Sequence, residues 1–275
     1  MTTLYIAWQD PQTRYWHTVG RLTKEQDAYC FVYTQGAENS PRFNYLGRMF
    51  DLTKRYYSRE LFPLFANRIL NKSRAEYPDY VRWLALDADI KQEPMQLLAR
   101  SGGKRATDEL CVYPYPEQNQ QGQYVLYFLS HGLRYLDTET LQRIEDLQVG
   151  ERLTLRHENN NHDEFALLVE TQQEPIKVGY CPRYLNRDLK VILDNTGIEL
   201  SVERLNHDAP LQFRLLCKAV FNLPVGFDVF TGGEYQVLAQ EKTPSVQKIT
   251  APTDFPTNID AYFNEGKTME NNYAS

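Results

Sequence analysis

The sequence predicts an α+β, mainly β protein of two domains, and three observations predict it. Short runs rich in aromatic and β-branched residues recur along the chain, bounded by turn residues. The stretches with apolar residues at i, i+3 and i+4 are few and short. A polar, proline-capped stretch, Pro114-Tyr115-Pro116-Glu117-Gln118-Asn119-Gln120-Gln121-Gly122-Gln123, has no periodicity and reads as a linker. The expected division is a first domain over 1–115, a linker over 116–123, a second domain over 124–240 and a polar tail over 241–275.

In chain order, Leu4 to Trp8, Tyr15 to Leu22 and Ala28 to Tyr33 read as strands, separated by the turn signals Asp10-Pro11 and Lys24-Glu25. Leu61 to Leu70 reads as a helix with Pro63 in its first turn, where the missing N–H costs nothing. Tyr77 to Leu86 and Met95 to Ala99 are further helical patterns, ended by Gly102-Gly103, and Glu109 to Tyr113 closes the first domain as a strand. The second domain has six expected strands: Tyr124–Leu129, Arg152–Arg156, Phe165–Val169, Ile176–Tyr180, Leu200–Arg204 and Phe213–Val220. Two short helices, Glu139–Leu147 and Leu185–Leu193, interrupt them. The tail has Pro, Thr and Asn and few aliphatic residues, a composition that buries too little apolar surface to order itself.

Composition narrows the function classes. With 42% hydrophobic and 24% charged residues the chain is ordinary for a soluble protein, and a net charge of -6 argues against coating duplex DNA through bulk electrostatics. A nucleic-acid site here has to be local and geometric. The surplus of aromatics, 19 Tyr and 13 Phe, supplies both core and stacking faces. Cys30, Cys111, Cys181 and Cys217 form no CxxC pair, so reduced core thiols in a cytoplasmic protein are expected, with no disulfide framework and no zinc ribbon. No run reaches the length of a membrane span, and the N-terminus lacks a signal-peptide pattern.

The richest stretch runs from Leu155 to Asp194. It sets the polar loop Asn159-Asn160-Asn161-His162-Asp163 between two apolar runs and ends on Val178-Gly179-Tyr180-Cys181-Pro182-Arg183 and a short amphipathic helix. Asn and Asp bond sugar hydroxyls and base edges, while Tyr, His and Arg offer stacking faces. Each residue also fits a plain structural role: Asn159 to Asn161 as a left-handed hairpin loop, Asp163 as an Asx-turn residue, Arg134 paired with Asp137, Tyr135 in the core. His157, Glu158, His162 and Asp163 lack HExxH spacing, so no metal site and no cofactor are expected. Ser101-Gly102-Gly103-Lys104-Arg105 lacks the spacing of a phosphate-binding loop. No nucleophile set or carboxylate pair stands out, so no catalytic residues are expected and the protein is read as not an enzyme.

Three ordered motifs, His131-Gly132-Leu133-Arg134-Tyr135, the Asn159–Asp163 loop, and Val178-Gly179-Tyr180 with the following helix, resemble the HIRAN domain. That domain is a small OB-like β-barrel that captures the 3' end of single-stranded DNA. The resemblance implies that Arg134 holds a backbone phosphate and Tyr135 stacks on a terminal base. Asn159 and Asn160 would bond the terminal nucleotide, Asp163 would accept from the free 3'-hydroxyl, and Tyr180 and Arg183 would line the path of the next phosphate. Where the family has Pro-Tyr before the Asp this chain has Asn161-His162, and a later base-cradling aromatic falls near His207. Both substitutions put an imidazole where the family has a larger ring.

Residues 1–115 resemble the N-terminal domain of HipA-like kinases through Val19-Gly20-Arg21-Leu22, Tyr29-Cys30-Phe31-Val32-Tyr33 and Phe65-Ala66-Asn67-Arg68-Ile69-Leu70. In that family the domain is an accessory that makes protein contacts, and the parts of a kinase core do not follow it here. Lys54, Arg55, Arg59, Arg68 and Lys72, interleaved with Tyr56 and Tyr57, form a secondary basic stretch of the kind that tracks single strands, or else a docking face. The reading is a non-catalytic binder of single-stranded DNA or DNA ends in repair or defence, with a protein partner supplying any enzymatic activity. Its rival is a regulatory subunit that docks on a kinase or toxin without touching DNA.

Overall fold

The computed structural model of the chain describes residues 2–86, 93–159 and 163–239. The first half runs β1 (Thr3–Gln9), β2 (Trp16–Glu25), β3 (Ala28–Tyr33), α1 (Gln35–Glu38), β4 (Arg55–Ser58), α2 (Pro63–Ala66), α3 (Tyr77–Trp83), α4 (Pro94–Ser101) and β5 (Leu110–Pro114). Its five strands form an antiparallel sheet in the order β4-β3-β2-β1-β5. The second half runs β6 (Glu117–Gln118), β7 (Tyr124–Leu129), α5 (Thr138–Glu145), β8 (Arg152–His157), β9 (Leu167–Thr171), β10 (Lys177–Tyr180), α6 (Arg183–Asn195), β11 (Ile198–Leu205) and β12 (Leu215–Phe221). Its seven strands pair in the order β10-β9-β8-β11-β12-β7-β6.

The second sheet closes on itself. Beyond β7, His131 bridges Tyr180 of β10, each backbone N–H reaching the other's carbonyl at 2.9 Å, and the Ser130 hydroxyl donates to the Val178 carbonyl at 2.8 Å. Gly179 makes the closure possible. Its φ is +123°, and a Cβ there would stand 2.0 Å from Ser130 Oγ and 2.7 Å from the His131 carbonyl. Only glycine fits such a backbone at such a distance. The core of this barrel is built by alternation along the strands, Leu126 and Phe128 on β7 and Leu153 and Leu155 on β8. The apolar stripe of α6, Leu185, Leu189 and Ile192, adds helix-spaced residues to it.

The two halves share that core. Tyr5, Ala7, Cys111 and Tyr113 of the first sheet belong to the same apolar cluster as the barrel residues. Tyr184 of α6 stacks on Tyr113 at 5.0 Å and meets Trp16 edge-on at 5.7 Å. After β12 the chain returns to the first sheet, where Val237 bridges Thr34 and the Leu238 N–H donates to the Tyr33 carbonyl. The described residues up to Ala239 therefore fall within one compact unit. The stretch expected as a linker supplies β6, which pairs with β7. The Gln123 N–H bonding the Asn119 side chain helps to fold it into a hairpin.

Most expected strands and helices are present, with ends shifted by up to three residues. Three differences are local. The ten-residue helix expected over 61–70 is the four-residue α2, because the chain turns at Asn67 to bury Arg68. Strand β4 and helix α1 had no periodic signal in their four residues each. All four cysteines are buried and unpaired.

Candidate functional site

Apart from His207, the described residues singled out from the sequence on the barrel fall into two groups. The first surrounds the closure. A 3₁₀ turn, Leu133–Tyr135, buries Leu133 and turns Arg134 and Tyr135 outward. Tyr135 is 76% exposed, which excludes a core role. Its hydroxyl accepts from the Arg134 guanidinium, which also lies over its ring at 4.6 Å. The alternative pairing of Arg134 with Asp137 is not what the structure shows, since the Asp137 carboxylate caps α5 by accepting the Thr140 N–H at 2.7 Å. Tyr180 is half-buried beside Gly132. Its hydroxyl donates to Glu158 at 2.8 Å and accepts from Lys177 at 2.7 Å. This group offers an exposed ring with a guanidinium beside it.

The second group forms around Asp163. Its Oδ1 accepts the Phe165 N–H at 3.0 Å, an Asx turn, and its Oδ2 accepts from the buried Asn186 amide at 2.8 Å. Arg183 Nε lies 3.8 Å from the same Oδ2. The Asx-turn reading of Asp163 is what the structure shows: the turn holds the carboxylate in place, and its side chain, 14% exposed, lines a groove. Asn159 is exposed at the head of the loop. Asn160 and His162 lie outside the described residues.

The groove, of about 310 Å³, runs between the Asp163 turn and α6 on one side and the β1–β2 loop on the other. Phe165, Arg183 and Arg187 form the first wall, and Arg14, Tyr15 and Trp16 the second. Arg187 crosses between them, donating to the Tyr15 hydroxyl at 2.6 Å while lying 5.0 Å above the Phe165 ring. Glu234 also lines the groove, and Asp188 of α6 accepts the Phe230 N–H at 3.1 Å. Burial pushes both carboxyls above their ordinary range. Among the described residues no group of three His, Cys, Asp or Glu side chains is placed to hold a metal.

Residues 123–231 match the HIRAN domain. Two solved structures are similar to part of the chain. One is a protein from Lactobacillus plantarum, 22% identical, covering 37% of this chain and 100% of its own, with a TM-score of 0.30. The other is the HIRAN domain of human HLTF, 23% identical, covering 35% of this chain and 74% of its own, with a TM-score of 0.29. No curated protein matches the chain. The HipA-like resemblance of residues 1–115 finds no support in these comparisons. No helix among the described residues is long and apolar enough to cross a membrane.

Every residue expected to bind DNA in the main site falls inside the HIRAN match, but not all converge. His207 binds Glu145 of α5 at 2.5 Å, and Asp208 beside it bonds Arg82 and Trp83 of α3. It does not line the groove. The secondary basic stretch also divides. Arg68 is buried and bonds Asp108 through both guanidinium nitrogens, with a further bond to the Gly103 carbonyl, so it is a structural ion pair and leaves the patch. Lys54, Arg59 and Lys72 are exposed and Arg55 is half-buried on the edge strand β4. Sequence reasoning missed Tyr15, Trp16, Phe165 and Arg187. Only the pairing of aromatics with arginines in Arg14-Tyr15-Trp16 was there to point at them, and nothing in sequence tied that run to a loop about 150 positions on.

Proposed function

We propose that this protein binds single-stranded DNA without chemistry of its own, preferring an end with a free 3'-hydroxyl, and serves repair or defence against foreign DNA beside a partner that supplies any enzymatic activity. The match of residues 123–231 to the HIRAN domain, a domain that binds single-stranded DNA, carries the reading. The geometry supports it: Asp163 is fixed at a groove edged with arginines and aromatic rings. A carboxylate accepts from a hydroxyl and repels a phosphate in the same place, so it separates ends from internal strand. Losing a charge-assisted bond costs about 1.5–3 kcal/mol, so a 3'-hydroxyl strand is expected to bind roughly tenfold or more tightly than the same strand ending in a 3'-phosphate. Fluorescence anisotropy with the two strands checks it, and equal affinities sink the end preference.

One observation favours a second reading, docking of a protein partner through the first sheet. β4 is an edge strand with Tyr57 58% exposed, and Phe50, 63% exposed, packs on the exposed Tyr45. Such an edge pairs readily with another chain.

A further inference from the structure

We propose that the loop between β1 and β2 is a second wall of the DNA-end site, with Tyr15 stacking on the base next to the terminal nucleotide and Arg14 holding the phosphate that joins the two. This inference rests on the DNA-end reading above and extends it to residues outside the HIRAN match. The loop forms one wall of the groove beside Asp163.

The loop is built to hold one shape. Asp10 is buried, and its carboxylate accepts the N–H groups of Gln12 and Thr13 and two nitrogens of Arg42, at 2.6 to 3.2 Å. The Arg42 guanidinium holds that carboxyl well below the usual range, so it stays charged. Backbone bonds from Arg14 to Asp10 and from Asp10 to Tyr15 close the turn, and Gln9 donates to the Arg14 carbonyl. The result keeps Arg14 at a φ of +59°, a left-handed conformation that a non-glycine residue adopts at a cost. That cost is met at the lip of the groove, where the guanidinium is 56% exposed and makes a surface pair with Glu109 at 3.3 Å. Exposed pairs of this kind contribute little and exchange easily for a phosphate.

Tyr15 is fixed as well. Its ring lies 4.9 Å from His17, its hydroxyl is held by Arg187, and it remains 44% exposed. An oriented, accessible ring loses little freedom when a base stacks on it. The charges fit the same ligand. Arg14, Arg183 and Arg187 face Asp163, Glu164 and Glu234, so these six groups give the groove no bulk pull on polyanions. They do suit a ligand carrying both a phosphate and a hydroxyl.

The test uses the full chain and a 5'-labelled oligothymidylate with a free 3'-hydroxyl, followed by anisotropy across a salt series. Tyr15→Ala is expected to weaken binding roughly tenfold, and Tyr15→Phe, which keeps the ring and loses only the Arg187 bond that orients it, to weaken it clearly less. Arg14→Gly should lower the salt slope by about 0.7 and leave the melting temperature unchanged or higher, since glycine takes this backbone freely. Wild-type binding matched by all three variants overturns the second wall and leaves the DNA-end reading standing. Equal weakening by Tyr15→Ala and Tyr15→Phe overturns the stacking role. A wild-type protein that binds no strand, whichever its end, overturns the DNA-end reading and this extension together. Should Tyr15→Ala fail to fold, Arg14→Gly still decides whether the loop touches the ligand.

Discussion

Tyr135 shows how exposure separates two roles that sequence leaves open. An aromatic residue 76% exposed contributes little to the core, so Tyr135→Ala is expected to melt like wild type. It should nevertheless weaken binding to strands of any sequence by about 1–3 kcal/mol, because stacking tolerates all four bases. Thermal melting and anisotropy on the one variant check both halves. Asp188 and Glu234 make a prediction of opposite character. Burial raises both carboxyls, so the native state disfavours their ionised forms. The stability they allow is fully present below their ordinary range, near pH 4, and is lost as pH rises through their raised values. An Asp188→Asn, Glu234→Gln double variant should therefore gain melting temperature over wild type as pH goes from about 4 toward neutral. A constant difference across that range would show that the two acids do not titrate differently on unfolding.

Among the elements, the closing strand β10 depends on a single residue without a side chain. Gly179→Ala places a methyl against Ser130 Oγ and the His131 carbonyl, on a backbone that alanine resists. It should destabilise the protein by at least about 1–3 kcal/mol, seen as a lower midpoint in urea, and loosen the His131–Tyr180 bridge beside Arg134 and Tyr135. The edge strand β4 distinguishes the two functional readings. If it continues the DNA path, Lys54→Glu with Arg55→Glu should weaken long strands more than short ones and reduce the salt slope by about 0.7 for each phosphate no longer held. If it is a docking face, DNA binding and its salt dependence stay as in wild type, while a partner pulled down by the native chain no longer binds.

The whole molecule is expected to unfold as one body through residue 239. Tyr5 and Tyr113 pack in the barrel's apolar cluster, and Arg82 and Trp83 bond Asp208 across the halves. Trp8, Trp16 and Trp83 all lie in the first half, but Trp16 meets Tyr184 and Trp83 bonds Asp208, so tryptophan fluorescence reports that half and its seam with the barrel while far-ultraviolet circular dichroism reports both sheets. Coincident urea transitions by the two probes are the expected result. An earlier fluorescence transition would mean that the contacts between the halves loosen before the sheets unfold.

What the sequence determined by itself was local. Alternation over Tyr124–Leu129 and the Leu185, Leu189, Ile192 spacing on α6 are written in neighbouring residues, because strand and helix periods act over a few positions. The ordered motifs around Arg134, Asp163 and Tyr180 were legible for the same reason. Tertiary structure alone decided that Arg68 serves Asp108 and that His207 serves Glu145. It also decided that Tyr15 and Arg187 face one groove. Each of these is a pairing between positions far apart or a choice of which polar group a buried charge must satisfy. Such choices depend on which surfaces the fold brings together and removes from water, and short-range spacing carries no information about that.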